Sequence, residues 1–432
     1  MPYPYDYSWE AGQSKQVVYQ TANDHIHELS VVKGGAWQHA DLTAITGAPP
    51  AVQLIKGYSW SMGMGRSKSL KSSKQVTFKT ADDHIHELYM IKGGTWQHAD
   101  LTAITGAPPA ASIKNAYSWG AGQSKQVVYW TTDRHIHELY VVLGGTWQHA
   151  DLTAITKAPP FSTLRNGYSW SAGKSKQVTF TTADDHIHEL SVVKGGTWQH
   201  ADLTAITGAP PARRLGDGYS WEAGQSKQIT FQEDQFGPFH ELSVVKGGMW
   251  QHADLTAISG DPILPNHTYA DGAYDWGYVW EMGQSKQMFY RPGSGDSHLK
   301  ELFVVKGGTW QHADLTAITG APPIGFGLSS DNPGYSWKAG QSKQFVYLTT
   351  DHHIHELYVV KGGAWQHADL TAITGAPPAK AIRNAYSWEA GQSKQVTFET
   401  DDGHIHELYV VKGGAWQHAD LTAITGAPPA DH

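Results

Sequence analysis

Apolar and polar positions along this chain alternate in short bursts rather than in long stripes. In the first unit, runs enriched in Val, Ile, Thr, Tyr, Phe and Trp fall at Tyr7 to Trp9, Gln16 to Tyr19, His25 to Val32 and Trp37 to Ile45, each set apart by turn formers. These runs predict four β-strands. Lys33-Gly34-Gly35 predicts a tight hairpin with positive φ between the third and fourth, and Ala22-Asn23-Asp24 does similar work between the second and third. The third run puts Ile26 and Leu29 on opposite faces, so the strict period of two is blurred, as expected of a sheet covered on both sides.

The same block is written eight times. Trp-Gln-His-Ala-Asp-Leu begins at Trp37, Trp96, Trp147, Trp198, Trp250, Trp310, Trp365 and Trp416, with a commonest step of 51 residues. Each copy follows a Tyr-Ser-Trp ending at Trp9, Trp60, Trp119, Trp170, Trp221, Trp337 or Trp388, or the variant ending at Trp280. Between these marks lie Ser-Lys-Gln, His-Ile-His-Glu-Leu and Lys-Gly-Gly, and Thr-Gly-Ala-Pro-Pro joins one copy to the next. Four strands per unit is a propeller-blade count. A solenoid needs atypical capping repeats, whereas the first and last units here are among the most regular.

The fold class is therefore read as all-β. A single β-propeller domain over residues 1–432 has eight blades of four antiparallel strands, in units of about 1–50, 51–109, 110–160, 161–211, 212–262, 263–323, 324–378 and 379–432. A seven-bladed ring with one displaced unit is the alternative. Extra length near Gly65 to Ser72, Asp261 to Trp276 and Ile324 to Pro333 reads as loop insertion.

Composition narrows the classes of function. Gly and Pro supply 46 and 21 of the 432 residues and charged residues only 17%, which suits tight turns and argues against helical bundles and coiled coils. No stretch approaches the roughly 18 consecutive apolar residues of a membrane helix, and the opening Met-Pro-Tyr-Pro lacks the basic start and apolar run of a signal peptide. No membrane insertion is expected, and the compartment stays open: cytoplasmic, or released without a classical signal. A net charge of −8 with scattered Lys and Arg argues against nucleic acid. The absence of Cys removes disulfides, thiolate catalysis and Cys-based metal sites.

The recurrent polar residues have structural and chemical readings. His39 and Asp41 recur in every unit and share one face of an extended strand, which reads as an internal hydrogen-bonding device. The His-x-His of the third run, with its nearby Glu, has the spacing of a zinc site. Six units keep both His; the fifth has Pro238 and Phe239 before His240, and the sixth has His298 but Lys300. Spacing alone supplies no third ligand. The favoured reading is no metal and no cofactor, with Glu28 and its equivalents pairing with a neighbouring strand. No segment carries a nucleophile elbow or a unique acid pair, so no catalytic residue and no enzyme activity are expected.

Sixteen of the 18 Trp fall in two repeated rows, each a candidate carbohydrate-binding plate or inter-blade filler. The rows begin at Trp9 and Trp37 and should lie near the same rim. Within a blade they are separated by three strand spacings, about 14 Å, so a pocket using both must draw them from adjacent blades.

The ordered series Tyr-Ser-Trp, Lys-Gln-Val-Val-Tyr, His-Ile-His-Glu-Leu-Tyr, Trp-Gln-His-Ala-Asp-Leu-Thr and Thr-Gly-Ala-Pro resembles the repeat of the PLL-like bacterial β-propeller lectins over essentially the whole chain. The resemblance implies a ring of four-stranded blades that binds fucose and related or O-methylated sugars between blades. Family members form seven-bladed rings, and this chain has eight units. Glycans are thus the expected partners, with oligomerisation left open. A protein-interaction scaffold is the alternative function.

Overall fold

The computed structural model describes residues 5–61, 72–234, 237–260, 276–291, 297–325 and 334–431. The extra lengths at 65–71, 261–275 and 326–333 lie outside the described residues. In the first unit, β1 is Tyr5–Trp9, β2 Ser14–Gln20, β3 Ile26–Val32 and β4 Gln38–Asp41, paired antiparallel in that order. Gly34 at φ 77° and Asp24 at φ 63° supply the positive backbone angles that the two hairpins require.

The fourth run departs from expectation in its second half. Leu42–Thr46 forms a helix, α1, not a continuation of the strand. Asp41 explains the switch: its Oδ1 accepts from the Ala44 amide at 2.9 Å, and Gly47 closes the far end in the left-handed region. The Thr43 hydroxyl then accepts from the Ile26 amide at 2.9 Å, tying α1 to β3. The same arrangement recurs in every unit, with Lys157 in the left-handed position of the third.

Each unit makes one sheet, so the ring has eight blades, and the seven-bladed alternative falls. First strands contact the first strands of both neighbouring blades in an unbroken cycle, which places them at the centre and the fourth strands at the circumference. Blades two and four split the first strand into two segments pairing with the same partner.

The core lies in the seams. Among the described residues, buried apolar side chains form eight clusters, each spanning two neighbouring blades. Ile26 packs toward blade two with Phe78 and Leu88, whereas Leu29 packs toward blade eight with Ile405 and Leu421. The blurred periodicity of β3 thus has its cause: each sheet is covered on both faces. Among the described residues no helix is long and apolar enough to cross a membrane.

Candidate functional site

The hairpins between first and second strands and between third and fourth strands share one face of the ring, and both Trp rows lie there. First-row indoles, Trp9, Trp60, Trp119, Trp170, Trp221, Trp280, Trp337 and Trp388, are only 6–8% exposed. Glycine makes room for them: a Cβ on Gly12 would stand 2.4 Å from the Trp9 ring. In the second row Trp96 is buried, and Trp37, Trp147, Trp198, Trp250, Trp310, Trp365 and Trp416 are half-buried.

The two rows do meet across each seam, and a lysine of the protein fills the gap between them. Lys394 Nζ of blade eight lies 5.5 Å and 5.2 Å from the rings of Trp337 and Tyr358 in blade seven, and 5.1 Å from Trp416 in its own blade. It also donates to Glu356 Oε1 of blade seven at 2.6 Å. This ion pair recurs at all eight seams, at 2.6–2.7 Å in seven, with Lys343–Glu301 the eighth. Burial raises the Glu356 carboxyl above its ordinary range, opposed by Lys394, and lowers the Lys394 ammonium, opposed by Glu356. The expected partner of the recurrent Glu is therefore a second strand, in the next blade. A charged residue in every Ser-Lys-Gln of a strand buried on both faces was the sequence signal for this pair.

The opposite face carries the hairpins between second and third strands, the short helices and the diproline links. Here the His and Asp rows converge, with partners other than those expected. His39 and Asp41 do not bond each other. Asp41 Oδ2 lies 2.7 Å from His25 Nδ1, and His39 Nε2 lies 2.7 Å from His27 Nδ1. Both partners come from the start of the third strand, because the register sets His27 opposite Asp41.

Blade seven shows the electrostatics. Burial lowers the His355 pKa to about 4, helped by His367 and His353 and opposed by Asp369. The hydrogen bond to Asp369 instead raises His353 above the usual imidazole range. Burial works against the Asp369 carboxylate, but the Ala372 amide and the two histidines outweigh it and hold it below the ordinary value.

Clefts open over these groups at the seams. One of about 490 Å³ lies between Ser297, Pro322, Pro323 and Ile324 of blade six and its link and Thr349, Asp351, His353, His355 and Asp369 of blade seven. Another, of about 450 Å³, lies between Arg134, Pro159, Pro160 and Phe161 on one side and Thr182, Asp184, His188 and Asp202 on the other. Each has an apolar wall from the preceding link and a wall of carboxylate, imidazole and hydroxyl groups. The diproline that builds the first wall recurs in seven units. In the sequence it reads only as the join between copies, because nothing in the spacing tells which elements it faces.

No protein-family model and no curated protein sequence matches the chain. Among solved structures, the BP39L lectin from Burkholderia pseudomallei is similar at 14% identity and a TM-score of 0.49, covering 96% of this chain and 97% of that one. The β-propeller domain of the Trilobed protease from Pyrococcus furiosus is similar at 7% identity and a TM-score of 0.45, covering 84% and 98%. The Aleuria aurantia lectin in complex with α-methyl-L-fucoside is similar at 11% identity and a TM-score of 0.38, covering 84% and 94%. At such scores the likeness says nothing of what this chain binds.

Proposed function

We propose that the chain is a non-catalytic, multivalent lectin whose seam clefts on the His-bearing face each hold one saccharide of the fucose-like or O-methylated class. The observation that carries this is the two-sided cleft itself, apolar diproline against Asp, Thr and His. A pyranose has the same division, with a C–H face that packs on apolar surface and hydroxyls that need directional partners. The resemblance of the motif series to PLL-like lectins supports the sugar class. Repetition supports the mode: one shallow site binds weakly, but linked sites raise avidity by about 10²–10⁴ when a glycan can engage several.

A second reading places the sugar on the opposite face, on the second Trp row. What favours it is the half-exposed indole at seven of the eight positions. The first row is too deeply buried to offer a stacking surface.

Glycan-array binding and agglutination inhibited by free fucose or a methyl fucoside test the function. Calorimetric stoichiometry then separates the faces. Asp351→Ala should remove a binding site if the cleft is used, and Trp365→Ala should do so if the indole row is used. A flat array with folded protein, or capture of a polypeptide insensitive to sugar, would replace the lectin with an interaction scaffold.

A further inference from the structure

The His-x-His pairs, for which the sequence offers no third ligand, acquire one in the fold. In six blades two imidazoles and one carboxylate bring their donor atoms within 4.8 Å of one another, as in His25, His27 and Asp41 or His353, His355 and Asp369. In blade seven His353 Nδ1 is 2.9 Å from Asp369 Oδ2, and His355 Nε2 is 4.0 Å from the same oxygen. Blade one repeats these distances at 2.7 Å and 4.0 Å, and blade eight at 2.9 Å and 4.0 Å.

Three further features mark this as more than a hydrogen-bonded cluster. First, the outer contacts orient the donors. His355 Nδ1 is engaged by His367 Nε2 at 2.8 Å, which leaves Nε2 facing the carboxylate, and Asp369 Oδ1 is held by the Ala372 amide, which leaves Oδ2 facing the imidazoles; in blades two, three, four and eight the corresponding Nε2 also meets a Thr hydroxyl at 3.0–3.2 Å, a contact that an ion would displace. Second, the trio lines an open cleft of about 490 Å³, so a fourth position is accessible to water or to an incoming oxygen ligand. Third, the two blades that depart from His-x-His change their charge. In blade six Lys300 takes the register position opposite Asp314, an ammonium in place of an imidazole. In blade five Glu233 Oε1 lies 3.1 Å from His240 Nε2, so a carboxylate replaces the Thr that occupies this place in most blades.

We propose that each of the six intact trios binds a divalent first-row transition ion of the Zn²⁺ class through two imidazole nitrogens and one carboxylate oxygen. The donor set is borderline-soft nitrogen with one oxygen, and it leaves one position open. Ligand bonds of about 2.0–2.1 Å around a tetrahedral ion set neighbouring donors roughly 3.3 Å apart. In blades one, seven and eight the short His–Asp contact must therefore open, and the long one close, each by less than about 1 Å, and in none of the six trios do two donor atoms start more than 4.8 Å apart. The site stands whether or not a sugar enters the cleft.

The test uses the full chain, stripped with a chelator and then titrated with Co²⁺ and Zn²⁺ near neutral pH without sugar. Uptake should approach six equivalents, and Co²⁺ should show the intense visible bands of a four-coordinate nitrogen and oxygen site. His355→Ala and, independently, the more exposed His353→Gln should each remove one equivalent while far-ultraviolet circular dichroism is unchanged. Lys300→His should add one, because His298 and Asp314 are already in place 2.7 Å apart. Uptake well short of six, or stoichiometry indifferent to these substitutions, overturns the proposal. Retained sugar binding after chelation leaves the metal site and the lectin reading to be judged apart.

Discussion

Lys15 and Glu407, 392 residues apart in the chain, meet in a 2.6 Å ion pair that closes the ring. Among the described residues no strand of blade eight is borrowed from the N-terminal segment, and this seam is joined by side chains and loop contacts. Tyr19 adds to it by donating to the Pro428 carbonyl at 2.9 Å, as does the Asp431 amide to the Gln20 carbonyl. The expected outcome follows from the burial of both charges. Lys15→Met should leave Glu407 buried and unpaired at a loss of about 3–5 kcal/mol, and the Lys15→Met/Glu407→Leu double variant should recover most of it. Calorimetric melting of the three variants checks this; a single variant that melts with the parent chain would dismiss the pair as a closing element.

The closing seam has a second irregularity at Asp6. Every other unit has Gly or Ala at this place, as at Gly57, Ala116 and Ala385. Asp6 is 1% exposed, accepts from the Thr397 hydroxyl, and is pushed up to about 7 by burial. A carboxyl raised in the folded state stabilises the fold only where it stays protonated, so its contribution is full below the unfolded value near 4 and is lost as pH rises to 7. Asp6→Gly should therefore gain roughly 4 kcal/mol above pH 7 and little at pH 4. Equal gains at both pH values would show that side-chain volume, not ionisation, sets the cost.

The two Trp rows should separate by stability. Trp119 is buried on the seam against Lys176, so Trp119→Ala should cost about 3–5 kcal/mol. Trp147, half-buried at the rim, should cost about 1–2 kcal/mol. Chemical denaturation of both variants provides the comparison, and equal losses would mean that the two rows are equally part of the core.

How far the chain could be read in advance depended on the range of each interaction. The repeat spacing and the regular end units already specified the ring, because closure needs only that each unit present the same two faces. Ile26 and Leu29 even carried the information that both faces are covered. The helix after Asp41 was missed because Leu-Thr-Ala-Ile also suits a strand, and the deciding event is one carboxylate capping one amide. The Lys–Glu pairs were half visible: each partner stood out as a recurrent charge, but the blade from which the other would come is a fact of ring geometry. Clefts were least legible, since the diproline and the His-Asp groups that line one belong to different units. The third ligand of each trio was hidden for a related reason. Asp41 lies 14 residues beyond His27 and meets it only through the β3–β4 register.

Acid should loosen the ring through the histidines. His27, His86, His137 and His355 are lowered by burial to about 4, and His188, His240 and His406 move the same way. A histidine lowered in the folded state must gain its proton on unfolding, so its contribution is full above the unfolded value near 6.5 and is lost as pH falls toward 4. The outer set opposes this. His84, His135, His186, His353 and His404 are raised by their Asp partners and stabilise the fold at low pH, losing that contribution as pH rises. The inner set outweighs the outer one by number, because the second ring of the His pairs, as at His39 and His367, is lowered as well. Asp6 also opposes the trend, as do the seam carboxyls of Glu87, Glu138, Glu301, Glu356 and Glu407, all raised by burial, so the measurement belongs in the metal-free Asp6→Gly variant and compares chains with and without one histidine pair. There His355→Gln/His367→Gln should hold its melting temperature better between pH 6.5 and 4 than the chain that keeps this pair, whose two imidazoles are both lowered by burial. Identical pH profiles with and without the pair would mean that the paired imidazoles bind protons as readily in the folded ring as in the open chain.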